Sequence, residues 1–303
     1  MLRYSQALLT LLIACACAPA IPASSPAVGH TSQVENPDAR LQSLLDSIVR
    51  DFRGEAGVYV RHLSTGATAS VNADQIFPTA SMIKVPLLVT LFDRVERGEL
   101  RLDQEMVFRD SLKYADHDLT GKFRDEEKIP LDQLAFLMVA LSDNTASLWI
   151  QALVGGGTAV NNWLAANGFQ STRVNSRTEG RRPDWERYGW GQTTTREMSR
   201  LMVMIRQGEA VSPAASDRMY RTLSRSFWDE TAMAPIPASV QVASKQGFVS
   251  QSRSEILLVN SPSGDYVLAI ITNNQEDTSP GRENEGFRLL RDVSAAVYRH
   301  FNP

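Results

Sequence analysis

Phe77-Pro78-Thr79-Ala80-Ser81-Met82-Ile83-Lys84-Val85-Pro86-Leu87-Leu88-Val89 reads as a strand exit or loop running straight into an apolar helix. The helix is expected from about Ser81 to Arg97, with Gly98 as its stop. Ser81 and Lys84 then lie three residues apart on one face of the opening turn. The positive end of the helix dipole favours charge developing on a hydroxyl there. A neighbouring amine can take that hydroxyl's proton once burial or nearby charge has lowered its pKa. Ser-x-x-Lys also occurs by chance, as a capping Ser beside a solvated Lys. The apolar run that follows buries the helix, however, and a buried Lys needs a reason.

Working outward, Leu41, Leu44, Leu45, Ile48, Val49 and Phe52 recur at helical spacing after Asn36-Pro37, a cap residue followed by Pro at the first helical position. Two short strands are expected at Gly57–Leu63 and Ala67–Val71, turned at Ser64-Thr65-Gly66. Helical periodicity then fills Leu131–Leu141, Thr145–Val154, Thr158–Asn167, Thr195–Gln207 and Ala214–Leu223. Asn175 to Thr194 has no clear period, and a loop that long in a compact domain is usually functional. Strands return at Val240–Lys245, Glu255–Asn260 and Tyr266–Thr272, followed by a helix over about Arg282–Phe301.

This order predicts an α/β (α+β) domain: an antiparallel sheet flanked by helices and built from both chain ends, plus an all-helical lobe. The α/β lobe covers about 37–80 and 235–302, the helical lobe about 81–234, and the cleft between them is the natural ligand site.

Three further elements carry polar groups suited to chemistry. Ser142-Asp143-Asn144 stands between two helical runs: the Ser could pass protons, the Asn amide could hold a carbonyl, and the Asp could anchor the turn. Read alone, it is a helix cap. Lys245-Gln246-Gly247 ends a strand, where Gly lets a ligand approach the backbone closely. Arg177-Thr178-Glu179 lies in the long loop, and in isolation Glu179 is a surface charge.

In this order and at these spacings the four elements resemble the class A serine β-lactamases, which are similar to the serine D,D-peptidases called penicillin-binding proteins. The resemblance runs from about Pro37 to the C-terminus and is strongest at Thr79–Pro86 and Ala140–Ala146. It implies a β-lactamase/transpeptidase-like fold and a hydrolase that opens β-lactam rings through an acyl-enzyme on Ser81. Lys84 would share in proton transfer, Ser142 would relay a proton to the leaving nitrogen, and Glu179 would activate the water that releases the acyl group. The backbone amides of Ser81 and Phe248 would form the oxyanion hole. Asn144 would orient the substrate amide, and Tyr114 would wall the cleft. Lys245 and Gly247, helped by Gln246 and by Arg253 or Ser250, would receive the substrate carboxylate. No metal and no organic cofactor is implied, and a monomer is expected.

Two departures from that pattern stand out. The third element is Lys-Gln-Gly where the family has Lys-Thr-Gly or Lys-Ser-Gly. Around Glu179 the usual following Pro and Asn are absent, and Gln192 stands where an Asp would pair with Arg177. Trp185, Tyr188 and Trp190 could hold the loop through buried ring area instead. A poorly held water would leave the acyl group in place, so a D,D-peptidase or slow-turnover penicillin-binding protein is the alternative. A binding or scaffolding protein with a decayed site is a third reading, opposed by the intact Ser81, Lys84, Ser142 and Asn144.

The 303 residues are 43% hydrophobic and 21% charged, enough apolar material for a large core, and the net charge of −3 excludes a nucleic-acid footprint. The four histidines, His30, His62, His117 and His300, show no zinc spacing. Arg3 followed by the apolar run Ala7–Ala14 predicts a signal peptide over residues 1–20, since the run is about half of the roughly 20 residues a membrane span needs. Leu12-Ile13-Ala14-Cys15 resembles a lipoprotein signal, with cleavage after Ala18 or Ala20 as the alternative. Residues 21–36 read as a flexible tether, and residues 37–302 as the catalytic domain. Export to the periplasm is expected, with membrane attachment only through lipid on Cys15. Both cysteines, Cys15 and Cys17, fall in this leader, so the domain carries no thiol or disulfide.

Overall fold

The computed structural model describes residues 35–115 and 117–303; the leader and Cys15 readings, and all but the last two residues of the tether, lie outside them. A six-stranded sheet is built from β1 (Asn36–Pro37), β2 (Glu55–His62), β3 (Ala67–Val71), β9 (Gln241–Val249), β10 (Ser252–Ser261) and β11 (Gly264–Asn273). Its order is β1-β3-β2-β11-β10-β9, antiparallel except for the parallel β1–β3 pair at one edge. Interior β10 and β11 are buried along nearly their whole length, and their apolar stretches Ile256–Val259 and Val267–Ile271 serve both faces, so each face needs a cover.

One face packs on α1 (Ala39–Val49) and α9 (Glu285–Phe301), through Leu41, Leu45, Leu290, Val293 and Val297 against Val58, Val60, Leu257 and Leu268. The other face shares a larger core with α2 (Lys84–Glu96), α7 (Thr195–Gln207) and the remaining helices, bringing Leu88, Leu91, Leu201 and Met202 onto Ile256, Leu258, Val267 and Ala269. Burying such side chains stabilises by about 1.5–3 kcal/mol each.

The chain between the two groups of strands supplies α3 (Leu131–Ala140), α4 (Asn144–Leu153), α5 (Gly156–Ala166), α6 (Arg182–Tyr188) and α8 (Pro213–Leu223). It is not wholly helical. β5 (Glu105–Val107) pairs with β6 (Lys128–Pro130), and β7 (Arg173–Val174) and β8 (Gly191–Thr193) form a three-stranded sheet with β4 (Phe77–Pro78). That small sheet ties the residues before Ser81 to the neck of the long loop.

Three local expectations are corrected. Asn36-Pro37 does not cap α1 but pairs with Ala67 and Thr68 as an edge strand; Asp38 is the cap, its carboxylate accepting from Leu41 N at 2.9 Å. Asn175–Thr194 is not one structureless loop, because α6 and β8 lie within it. The helix expected from Ser81 begins as a 3-10 turn, Ala80–Ile83, and becomes α-helical at Lys84. Among the described residues no helix is long and apolar enough to cross a membrane.

Candidate active site

The 3-10 turn determines how Ser81 is presented. With three residues per turn, side chains at i and i+3 eclipse, so Ser81 and Lys84 share a face. Ala80 enters the turn at φ +44°, a left-handed conformation that costs a non-glycine residue about 1–2 kcal/mol. Ser81 is half-buried, opens onto two cavities and has no hydroxyl hydrogen bond among the described residues.

Lys84 is fully buried. Its Nζ donates to Ser142 O at 2.6 Å, to Asn144 Oδ1 at 2.7 Å and to Ser142 Oγ at 3.1 Å. Burial lowers its pKa to about 7, against the opposing pull of the Asp143 and Asp118 carboxylates. Ser142 too is left-handed, at φ +60°. Its Oγ also accepts from Lys245 Nζ at 3.1 Å, so one hydroxyl bridges two buried amines. Burial and the Lys84 charge both push Lys245 well below its ordinary range.

The loop that carries Ser142 and Asn144 hangs on two buried carboxylates. Asp143 caps α4 by accepting from Ala146 N at 2.8 Å, and holds Thr120 through its backbone N at 2.9 Å and its hydroxyl at 2.5 Å. Asp118 accepts from Asn144 N at 3.1 Å and from the backbone N and hydroxyl of Thr145, both at 2.8 Å. Asp118 was not among the residues expected from sequence. It lies in a stretch without periodicity, where nothing distinguishes a buried anchor from a solvated Asp.

Edge strand β9 runs past the nucleophile. A Cβ on Gly247 would stand 2.6 Å from Ser81 N and 2.9 Å from both Ser254 Oγ and Thr79 O, so only glycine lets the strand come this close. Gln246 Oε1 and O each accept from Lys245 Nζ at 2.8 Å. Phe248 stands more than half exposed at the lip shared by both cavities.

Two expected site residues stand outside the hydrogen-bonded cluster around Ser142. Glu179 is exposed, forms no hydrogen bond or ion pair among the described residues, and lines a third cavity with Tyr114, Arg177, Trp185 and Trp190 that does not include Ser81. That cavity shares Tyr114, Trp185 and Trp190 with one of the two onto which Ser81 opens, and the Trp190 ring centroid lies 6.0 Å from Lys84 Nζ and edge-on to Tyr114 at 5.1 Å. Arg253 is buried behind β9, donating to the main-chain carbonyls of Val249, Ser252 and Ser279, with Phe248 and Phe287 stacked on it. Its guanidinium therefore cannot meet a ligand in the cleft, whereas Ser250 does line it.

The long loop is closed without the Arg–Asp pair of the family pattern, as the Gln192 departure implied, and by polar contacts besides the expected rings. Asn175 N and Ser176 N both donate to Trp190 O, at 2.8 and 3.1 Å. Arg181 then binds Gln192 Oε1 at 2.8 Å, Asn175 Oδ1 at 2.9 Å and Asp184 at 3.1 Å. The neutral Gln192 is thus satisfied by a different arginine, and of the three rings expected to hold the loop Trp185 is 42% exposed.

Residues 39–301 match the family model described as the β-lactamase enzyme family. The chain is 18% identical to β-lactamase VEB-1 of Pseudomonas aeruginosa, over 85% of this chain and 89% of that protein. Among solved structures it is similar to PBP-A, a mutant of which was solved as an acyl-enzyme complex with penicillin G. The identity is 29% and the TM-score 0.79, covering 88% of this chain and 98% of that one. A β-lactamase from Sphaerobacter thermophilus shares the fold at 22% identity and a TM-score of 0.74, over 86% and 97% of the two chains. A fully matched domain, and a nucleophile turn, a bridging serine loop and a close-approaching edge strand in one cleft, lead to one conclusion: this chain belongs to the β-lactamase enzyme family.

Proposed function

We propose that this protein hydrolyses β-lactams through an acyl-enzyme on Ser81. The observation that carries the reading is the Ser142 hydroxyl held between Lys84 and Lys245 at 3.1 Å each, beside a Ser81 open to the cleft. An amine with a pKa near 7 is neutral in about half of the molecules at neutral pH, and its lone pair can take the Ser81 proton as Oγ adds to the lactam carbonyl. The ring C–N bond then breaks, and Ser142 passes a proton to the departing nitrogen while Lys84 resupplies it. The Ser81 and Phe248 amides would hold the carbonyl oxygen, and Asn144 would orient the substrate amide.

For release, water adds to the ester carbonyl, its proton goes to Lys84, and the Ser81 oxygen leaves and is reprotonated. Lys84 takes this role because it is hydrogen-bonded into the cluster beside Ser81, whereas Glu179 is exposed and forms no hydrogen bond among the described residues. Tyr114 would flank the entering substrate. We further propose that the protein acts in the periplasm, free or held by lipid on Cys15, on the support of the leader sequence alone.

The deciding experiment is mass spectrometry of the purified protein mixed with penicillin G and followed over time. An adduct on Ser81 that appears and clears, leaving hydrolysed drug over many turnovers, supports the reading. Absence of both an adduct and hydrolysed drug would overturn it. The placement of Glu179 favours one second reading, a slow-turnover penicillin-binding protein, which would leave a lasting adduct.

A further inference from the structure

We propose that Trp228 is a positioning residue for proton relay: its indole N–H, donated to the Leu141 carbonyl, fixes the Leu141–Ser142 peptide and so keeps the Ser142 hydroxyl between Lys84 and Lys245. This deepens the β-lactam reading and rests on it.

The case begins with a strained turn. Ser142 stands at φ +60°, a conformation that a residue with a side chain keeps only when its surroundings fix it. It comes just after α3, and the last carbonyls of a helix have no partner within the helix. Two of these are met by residues 87 positions further along the chain: Phe227 N donates to Ala140 O and Trp228 Nε1 to Leu141 O, each at 3.0 Å. The Leu141 carbonyl and the Ser142 amide belong to one planar unit, so the indole fixes the plane from which the serine departs. The next peptide is held by Lys84 Nζ, which donates to Ser142 O at 2.6 Å. Both peptides that flank the relay serine are thereby pinned, one by each residue.

The segment that delivers Trp228 is itself anchored. A few residues on, Thr231 Oγ1 and Ala232 N both donate to Oε2 of Glu255, a fully buried carboxylate on β10. The other oxygen of Glu255 accepts from Ser244 Oγ on β9 at 2.6 Å, and Ser294 Oγ on α9 donates to Ala232 O at 2.5 Å. A buried carboxylate is tolerated only with its donors held in place, so this one fixes the segment where it meets the sheet. Lys245 follows Ser244 on the same strand. The sheet edge that carries one of the two amines therefore also anchors the indole that sets the serine between them.

Core packing does not account for Trp228. Its ring is 43% exposed at the mouth of the cavity of about 560 Å³ that Ser81 and Ser142 line, and stands edge-on to Phe227 at 5.3 Å. An indole has one donor, and here it is spent on a main-chain carbonyl next to the relay serine.

The test is a double-mutant cycle on the full chain, reading by mass spectrometry how fast penicillin G acylates Ser81. Trp228→Phe keeps an aromatic ring and deletes the donor. The saturating acylation rate should fall by about tenfold or more, with the half-saturating concentration within about threefold of the parent. In a Ser142→Ala background the same change should cost less than about twofold, because no hydroxyl is left to position. Trp228→His, whose five-membered ring can place Nε2–H where the indole N–H stands, should recover most of the rate. An equal loss in both backgrounds, a loss confined to the half-saturating concentration, or no loss at all would overturn the proposal. If penicillin G does not acylate the unaltered protein, the β-lactam reading fails and this inference falls with it; acylation that Trp228→Phe leaves untouched removes the inference alone.

Discussion

The Asp118 carboxylate and Thr145 are joined twice through one oxygen: Oδ2 accepts from the Thr145 backbone N and from its hydroxyl, each at 2.8 Å and all buried. With its other oxygen on Asn144 N, Asp118 fixes the first residues of α4 and therefore where Asn144 meets Lys84. Asp118→Ala leaves three buried donors unpaired. Urea unfolding should show a loss of about 3–5 kcal/mol, with acylation slowed as well. Unchanged stability would mean that the loop does not hang on this carboxylate.

Ser81→Ala should separate chemistry from folding. Ser81 makes no side-chain hydrogen bond among the described residues, so stability should stay within about 0.5 kcal/mol while the penicillin adduct disappears from the mass spectrum. An adduct retained in this variant would place the nucleophile elsewhere.

Gly247→Ala tests the close approach of β9. A methyl 2.6 Å from Ser81 N forces the strand and the nucleophile turn apart, at a cost of about 1–3 kcal/mol. Acylation should fall by about tenfold or more, because the displaced parts are those that surround the reacting carbonyl. Stopped-flow acylation beside a denaturation curve reads both effects.

The Lys84 pKa has a consequence in each direction of pH. Its ordinary value is 10.5, and burial brings it to about 7 in the folded chain. Between those values the unfolded chain binds more protons than the folded one, so stability rises with pH across that window and is lower on the acid side of 7. Lys245, also depressed by burial, adds a term of the same sign. Acylation should likewise climb as pH rises through about 7 and then level off, since the neutral amine is the base. Lys84→Met should abolish acylation and flatten the stability slope.

Glu179→Gln should leave both acylation and release within about twofold of the parent, as expected for an exposed side chain that forms no hydrogen bond among the described residues. A stalled acyl-enzyme in this variant would return Glu179 to the catalytic path and remove Lys84 from the release step.

Sequence periodicity located the elements with a strong apolar stripe. Thr195–Gln207 matches its helix residue for residue, with Met198, Leu201, Met202 and Ile205 buried. It missed α6, whose seven residues bury none of their side chains and so leave no stripe. Ser81, Lys84, Ser142, Asn144, Lys245 and Gly247 do meet in one cleft, because each is held by local geometry that its own short motif encodes. Arg253 does not reach the cleft, since its direction depends on a contact made far away in sequence with Phe287, and Glu179 stays outside the hydrogen-bonded cluster around Ser142. Arg181 replaced Arg177 at the loop neck for the same reason: charge and spacing suit either, and only the turn decides which reaches Gln192.

The sheet's construction has a further consequence, for the order in which the molecule acquires its properties. Ser254 Oγ donates to Thr79 O across 175 residues of chain, and Lys245 reaches Ser142 across 103. The nucleophile turn leaves the ribosome early, but the strand that completes its surroundings emerges near the end. Loops of that length close slowly and late in folding. A nascent chain is therefore inert until β9 docks. Because β9 is also the outermost strand of its sheet, it is the piece whose fraying would switch the finished molecule off while most of the core stays folded.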